Sequence, residues 1–434
     1  MPIPFLIYTY YNGLPTWFPD PWKLVGGAAA VGALTVMKRY FNGATNLTER
    51  NMHGRVVMMT GGTSGIGAQT ALELAKRGAQ LILLTHMSAS DPFLVEYIDD
   101  LRAKTGNNLI YAEQVDLSSL YSVRQFATKW IDNSPPRRLD MIILGAATLT
   151  PPGGKRQETE EGVEETWMVN YLANFHLLGI LSPAIKAQPF DRDVRIILTT
   201  CSSYIRSPPL KEAQAHALDK KDWSPGNAYA SSKLALMTFG QAFQKHLDTY
   251  KRPDQLPMNA KVVFVDPGYS RTPGMRRWIT RGSLWGLLIY LLSYMLMWMV
   301  MKSPFMSAQS ILFAAFDGIV IRDSGGKVIK ECMEVDCARV DVKDDEAAKK
   351  LWESSDKLIE TIEKQAALKR AEEKKKREEQ EKKEKMEQEN KAKVEEIEAL
   401  VDTIKKGKAK EKGKDGGKKA KNMKQGKFGH KAVP

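Results

Sequence analysis

Residues 60–67 read TGGTSGIG, and their setting decides the fold. They follow the apolar run RVVMMT (55–60) and lead into AQTALELAKRGA (68–79), a helical pattern. A strand, a glycine-rich bend and a helix in that order form a phosphate cradle. Gly61 permits the tight turn after the strand, and Gly65 and Gly67 let backbone approach a pyrophosphate. The N-terminal dipole of the following helix favours that anion. A glycine triplet alone is a weak signal; the strand before it and the helix after it supply the context.

Outward from this bend, short β-branched or Leu-rich runs alternate with longer helical patterns. The runs are QLILLT (80–85), LIYAEQVD (109–116), DMIILG (140–145), VRIILTT (194–200) and KVVFVD (261–266). Near-continuously apolar strands separated by helices predict a parallel sheet covered on both faces, an α/β doubly wound fold of Rossmann type over 50–340. GGKVIKECMEV (325–335) reads as a seventh strand.

Composition bounds the rest. The chain has 434 residues, 43% apolar and 26% charged, enough for one large domain with appendages. Its net charge of +13 is local: residues 403–434 carry twelve Lys and two acids, or +10, which leaves +3 for the rest. A globally basic nucleic-acid surface does not follow, and the tail lacks aromatic residues for base stacking apart from Phe428, so nucleic-acid binding is not expected. Cys201, Cys332 and Cys337 have neither disulfide nor zinc spacing, so a reducing compartment and no metal are expected. Asn46-Leu47-Thr48 is a glycosylation sequon that matters only in a luminal segment.

Two further stretches are apolar. Within 1–45, LVGGAAAVGALTVM (24–37) is followed by Lys38 and Arg39, which reads as a membrane-anchor segment with its cations, and Arg50, on the cytosolic side. The second, SLWGLLIYLLSYMLMWMVMKSP (283–304), has no charge between Arg281 and Lys302. If 325–335 pairs in the same sheet as 261–266, this segment cannot cross a bilayer once. It is expected to be a lid lying in one leaflet, with Arg276, Arg277 and Arg281 at the headgroups. From 341 to 402 the chain is Lys/Glu-rich with many i,i+4 acid–base pairs, which predicts a solvent-exposed charged helix. Its apolar positions are sparse for a coiled coil. The basic tail at 403–434 is expected to be disordered, with an anionic lipid or a protein as its candidate partner.

NAYASSKLALMTFG (227–240) holds Tyr229 and Lys233 four residues apart, on one face of a helix. A cation beside a phenol stabilises the phenolate and lowers a pKa that is otherwise near 10. With TGGTSGIG upstream, this pattern resembles the short-chain dehydrogenase/reductase family over roughly 54–335, and its retinol dehydrogenase-like members through KSP and AQSILFAA. The resemblance implies oxidoreductase chemistry at a carbonyl or alcohol, with Tyr229 passing a proton while Lys233 contacts the cofactor ribose. Asn170, in WMVNYLANFHLLGIL, matches the helix asparagine that supports a proton-relay water. His176 on the same helix reads as a packed histidine. For the serine, Thr200 and Cys201 align without gaps, whereas a slide of one or two residues brings Ser202 or Ser203 into place. Ser202 is preferred because cysteine is a poor donor.

On the cofactor side the resemblance implies contacts from Gly61, Thr63, Ser64, Gly65, Ile66 and Gly67, from Asp116 and Leu117 near the adenine, and from Pro267, Gly268 and Thr272 near the nicotinamide. The family's Asn-Asn-Ala-Gly turn is replaced by Leu144-Gly145-Ala146-Ala147, so Ala146 would serve there through its backbone. No acid ends the second strand before Asp91, and His86 stands where NADP-preferring relatives often carry Arg; NADP(H) is therefore favoured over NAD(H). The expected function is interconversion of a lipophilic alcohol and its ketone or aldehyde, of retinoid, sterol or fatty-carbonyl type. The expected location is the cytosolic face of the endoplasmic reticulum or a lipid droplet. The competing reading is a nucleotide-binding scaffold with little turnover that acts through its charged tail.

Overall fold

The computed structural model describes residues 7–11, 21–211, 223–322 and 324–422. After α1 (Pro21–Asn42) come β1 (Val56–Thr60), α2 (Gly65–Lys76), β2 (Gln80–Thr85), α3 (Pro92–Thr105), β3 (Ile110–Gln114), α4 (Leu120–Ile131) and β4 (Met141–Leu144). Then follow α5 (Glu165–Lys186), β5 (Val194–Thr199), α6 (Pro225–Asp248) and β6 (Ala260–Asp266). The strands line up as β3-β2-β1-β4-β5-β6-β7-β8, parallel through β7. β1, β4 and β5 are buried along their whole length. One apolar cluster lies on each side of the sheet, which is why these strands read as unbroken apolar runs. Every strand inferred between 55 and 266 is present, and all run toward the same edge.

Three expectations are corrected. Residues 325–335 are not one strand but a hairpin of β7 (Lys327–Lys330) and antiparallel β8 (Met333–Val335). Its two-residue turn, Glu331-Cys332, has φ of +52° and +55°, a backbone that the sequence does not signal because neither residue is Gly or Asn. β7 still pairs parallel with β6, so the topological argument about 283–304 holds.

The second correction concerns the charged helix. It runs over Asp345–Asn422 and is not solvent-exposed from its start. Leu351, Ile359 and Ile362 are buried, and the Trp352 ring packs against Phe175 of α5 and Phe239 of α6 at 5.3 and 5.5 Å between centroids. Tyr171 Oη and Ser355 Oγ are 2.8 Å apart. The apolar stripe has helical spacing but is diluted by the Lys and Glu of the outer face. Third, the helix continues through 403–422, where disorder was expected; nine of these twenty residues are Lys, a good helix former. Residues 423–434 lie outside the described residues. Contacts divide the chain into two units, Met1–Glu363 and Lys364–Pro434.

Between β6 and the packing helix α10 (Pro304–Phe316), three helices form an excursion: α7 (Pro273–Thr280), α8 (Leu284–Leu292) and α9 (Tyr294–Val300). α8 and α9 break at Ser293, whose hydroxyl donates to the Ile289 carbonyl at 2.8 Å. Trp285, Leu288, Ile289, Leu292 and Met295 are exposed. α1 joins this excursion through Lys38 Nζ, which donates to the Trp298 and Met301 carbonyls (2.6 and 3.2 Å). Among the described residues, the helix long and apolar enough to cross a membrane is α5, and 72% of its apolar window is buried in the core.

The packing of Leu351 gives a test. Leu351→Ala should lower the unfolding free energy by about 3 kcal/mol in chemical denaturation. Leu368→Ala, at a residue 67% exposed further along the same helix, should change it by less than about 0.5 kcal/mol. Equal effects would mean that the helix is not docked at Leu351.

Candidate active site

The carboxyl ends of β1, β4, β5 and β6 lie side by side at one edge of the sheet. After β1 the chain turns at Gly61 (φ +70°), where a Cβ would lie 2.7 Å from the Ala146 nitrogen. At Gly67 a Cβ would lie 2.0 Å from the Gly61 carbonyl oxygen. The bend Thr63-Ser64-Gly65-Ile66-Gly67 thus folds back on itself only with glycine at those positions. Ser64 is the N-cap of α2, yet its side chain makes no capping hydrogen bond. The first amides of α2 are left without a side-chain acceptor, as a phosphate site requires. These residues fit a dinucleotide.

The turn after β4 is held without the family's asparagines. Thr60 Oγ1 accepts from the Gly145 and Ala146 amides at 3.1 and 3.2 Å. Asn170 clasps the next residue but one: its Oδ1 accepts from the Thr148 amide (2.8 Å), while its Nδ2 donates to the Thr148 carbonyl (3.0 Å) and to Ser232 Oγ (3.1 Å). Asn170 lies in a π-helical turn, Met168–Leu172, within α5. Such turns often mark functional positions. The Asn170 carbonyl accepts from Asn174 Nδ2 at 2.9 Å. His176 is a packed histidine: burial, with the Arg124 charge nearby, lowers its pKa to about 4.

Toward the ribose, β2 ends at Thr85 and His86 is exposed. Asp91, the first acid beyond, accepts from the Phe93 and Leu94 amides (2.9 and 3.2 Å) as the cap of α3. Asp116 Oδ1 accepts from both the amide and the hydroxyl of Ser118, and Leu117 is buried. Beyond β6, Pro267 and Gly268 (φ +74°) lead to Thr272, which caps α7 through the Met275 amide (3.2 Å). Thr272 also abuts the glycine bend, since a Cβ on Gly65 would lie 2.9 Å from Thr272 Cγ2.

Tyr229 and Lys233 lie in the first half of α6, whose N-terminus is capped by Ser224. Lys233 Nζ is buried, donates to the Thr199 carbonyl at the end of β5 (3.0 Å), and stands 5.6 Å from the Tyr229 ring centroid. The expectation of a lowered Tyr229 pKa is corrected. Burial raises it well above the ordinary tyrosine value, and the polar Cys201, Asp266 and Tyr269 side chains add to that. The Lys233 ammonium, itself lowered by burial, is spent largely on the Thr199 carbonyl. The phenol is therefore protonated, in the form that donates to a carbonyl oxygen.

Among the serine candidates the geometry separates the roles. Ser202 Oγ donates to Asp266 Oδ2 at 2.5 Å and accepts from Lys330 Nζ at 3.0 Å, so its hydroxyl is engaged away from Tyr229. Cys201 is the polar side chain set against the Tyr229 phenol, and its Sγ is 2.7 Å from Ser203 Oγ. Consecutive residues leaving a strand point to opposite sides, so a shift of one residue exchanges them. Sequence reasoning missed Asp266 and Lys330; an acid closing the apolar run VVFV was the available signal.

Comparisons with known proteins give the family. A family model described as short chain dehydrogenase matches residues 55–211. The uncharacterized oxidoreductase pbr1 of Schizosaccharomyces pombe is 41% identical over 87% of this chain and all of its own length. Polyprenol dehydrogenase of Mus musculus is 30% identical over 69% of this chain and 82% of its own length. Retinol dehydrogenase 13 of Mus musculus is 29% identical over 78% of this chain and 93% of its own. In fold, a solved structure of a putative uncharacterized protein from Mycobacterium paratuberculosis covers 73% of this chain and 97% of its own, with a TM-score of 0.50 at 22% identity. The phosphate bend, the Tyr229–Lys233 pair and these relatives together place the chain in the short-chain dehydrogenase/reductase family, as a nicotinamide-dependent oxidoreductase of alcohols and carbonyls.

Proposed function

We propose that this oxidoreductase works at a membrane surface, favours NADP(H), and interconverts a lipophilic alcohol with its ketone or aldehyde. The observation that carries the reading is the exposed apolar excursion α8–α9, joined directly to the active-site loop. The Lys302 amide donates to the Tyr269 carbonyl (2.9 Å) and the Arg271 amide to the Lys302 carbonyl (3.0 Å). The apolar surface and the loop after β6 are thus parts of one connection, and exposed Arg276, Arg277 and Arg281 suit lipid headgroups. The names of two relatives, retinol and polyprenol dehydrogenase, both specify lipophilic alcohols. α1, fastened to α9, extends the same surface. The cytosolic face of the endoplasmic reticulum or a lipid droplet fits such a substrate.

For the chemistry, a bound reduced nicotinamide would supply a hydride to the substrate carbonyl carbon. Tyr229 Oη gives its proton to the carbonyl oxygen, and takes it back in alcohol oxidation. Lys233 holds a buried positive charge beneath the phenol, and Asn170 fixes the turn of α6 that carries Tyr229 by way of Ser232, whose hydroxyl donates to the Tyr229 carbonyl at 2.8 Å. The Cys201–Ser203 pair lines the position from which a donor would meet the substrate oxygen. NADP(H) is favoured because no free acid ends β2: Asp91 is committed to its helix cap and His86 is open to a 2′-phosphate.

Purified protein in nanodiscs, offered NADPH and a panel of lipophilic ketones and aldehydes, should oxidise the cofactor, and Tyr229→Phe should lower kcat by about 10²-fold or more. His86→Asp should shift the binding preference toward NADH by roughly tenfold, about 1.4 kcal/mol. An unchanged preference would remove His86 from the ribose site. In a separate test, wild-type protein should float with anionic vesicles. A Leu288→Glu, Leu292→Glu double variant, at exposed positions, should keep its fold by circular dichroism and remain at the bottom of the gradient. Flotation of both would reject α8–α9 as the membrane face.

A further inference from the structure

At the foot of the apolar excursion two cations meet on one short helix. Lys38, near the C-terminal end of α1, donates from Nζ to the Trp298 and Met301 carbonyls at the end of α9 (2.6 and 3.2 Å). The same ammonium lies 5.0 Å from the centroid of the Trp298 ring. Arg271 arrives from the loop after β6. Its amide donates to the carbonyl of Lys302, the residue after Met301, and its Nη1 to Tyr294 Oη (3.0 and 3.4 Å). Tyr294 and Trp298 are four residues apart in α9, so the two cations share one face of it. Burial, and after it the Arg271 charge, lowers the Lys38 pKa. The acid fastened beside them is already engaged: Glu331, in the β7–β8 turn, pairs with Lys302 and accepts from the Ala44 amide. Among the described residues, neither Lys38 nor Arg271 is in ion-pair contact with an acid, and the buried Arg271 Nε has no hydrogen-bond partner.

We propose that Lys38 and Arg271 form a binding site for the phosphate of one phospholipid, whose acyl chains lie along the exposed apolar residues of α1 and α9. Like charges held together repel, and an anion shared between them removes that repulsion. A guanidinium and an ammonium both suit phosphate oxygens, the first as a fork and the second as a point charge. Lys38 keeps one N–H free of the α9 carbonyls, and Arg271 keeps donors beyond the Nη1 bond to Tyr294. The ligand is a lipid and not a free anion because the site is bordered by exposed apolar side chains, among them Leu34, Met295 and Trp298. A phosphate held there ties α1 to the loop after β6. The depth of the enzyme in a leaflet is then set at one built site, beyond the diffuse attraction of Arg276, Arg277 and Arg281.

The inference rests on reading α8–α9 as the membrane face, and its test works without a membrane. The full chain in a non-ionic detergent is titrated with dioctanoyl phosphatidic acid, with binding read by calorimetry and native mass spectrometry. One equivalent should bind per chain. Dioctanoylglycerol, which has the chains without the phosphate, and inorganic phosphate, which has the anion without the chains, should each bind about tenfold more weakly or worse. Arg271→Gln leaves the Lys38 bonds to α9 in place and should weaken the lipid about tenfold; Lys38→Gln, Arg271→Gln should weaken it further. Arg276→Gln, Arg277→Gln removes as much charge from exposed positions and should stay within about twofold of the wild type. Circular dichroism checks that each variant is folded. Equal affinity for phosphatidic acid and the glycerol, or for the wild type and the folded Arg271→Gln protein, would overturn the proposal. Inorganic phosphate bound as tightly as the lipid would overturn the lipid as ligand. One bound lipid in a protein that does not float with vesicles would sink the membrane face and leave this site standing.

Discussion

A buried ammonium has to be met by oxygen, and at Lys233 that oxygen is the Thr199 carbonyl, 3.0 Å away at the end of β5. Much of the site follows from this single contact. It fixes the rotation of α6 against the sheet, and Tyr229, one turn earlier, is carried to the same strand end. Thr199 is itself tied to β4, through its hydroxyl on the Leu144 carbonyl (2.8 Å), and to β6 by the parallel ladder. The position of the phenol is therefore a property of three strands and a helix. Moving any of them would cost the pairing of a charge that has no water to fall back on.

The same logic explains which parts were legible in the sequence. Apart from the edge strand β3, the strands from β1 to β6 are buried on both faces, so each had to be an apolar run, and those runs were readable. The phosphate bend was readable because a Cβ at Gly61 or Gly67 would strike backbone, which restricts the residue type to glycine. Tyr229 and Lys233 needed only helical spacing. What stayed hidden depends on contacts that leave no periodic trace. The turn at Glu331-Cys332 takes positive φ without glycine, held where Glu331 pairs with Lys302 and accepts from the Ala44 amide. The docked face of the C-terminal helix was masked by its own charge, since Trp352 and Leu351 sit among Lys and Glu. The choice between Cys201 and Ser202 turned on which way a chain points as it leaves a strand, and that is decided by the neighbouring strand.

Departures from the family pattern are answered locally. Without two asparagines, the turn after β4 would present loose amides to a nucleotide. Thr60 takes the Gly145 and Ala146 amides, and Asn170 takes both backbone groups of Thr148. Through Ser232, Asn170 then reaches the Tyr229 carbonyl, so the turn after β4 and the Tyr229 backbone are joined by two side chains. The π-turn at Met168–Leu172 places Asn170 in this chain. Buried polar chains of this kind rigidify when every member is satisfied.

The charged helix that starts at Asp345 bears on that chain from behind. Tyr171, the residue after Asn170, is buried and shares a hydrogen bond with Ser355, while Trp352 packs on Phe175 and Phe239 from the two helices that carry Asn170 and Tyr229. Burial pushes the Tyr171 phenol well above its usual range, so this contact stays neutral and intact wherever the enzyme works. The charged helix therefore begins as part of the scaffold that carries Asn170 and Tyr229. Helices α5 and α6 would be left with an uncovered aromatic face if residues 345–363 were removed, so this stretch belongs to the enzyme and not to the tail.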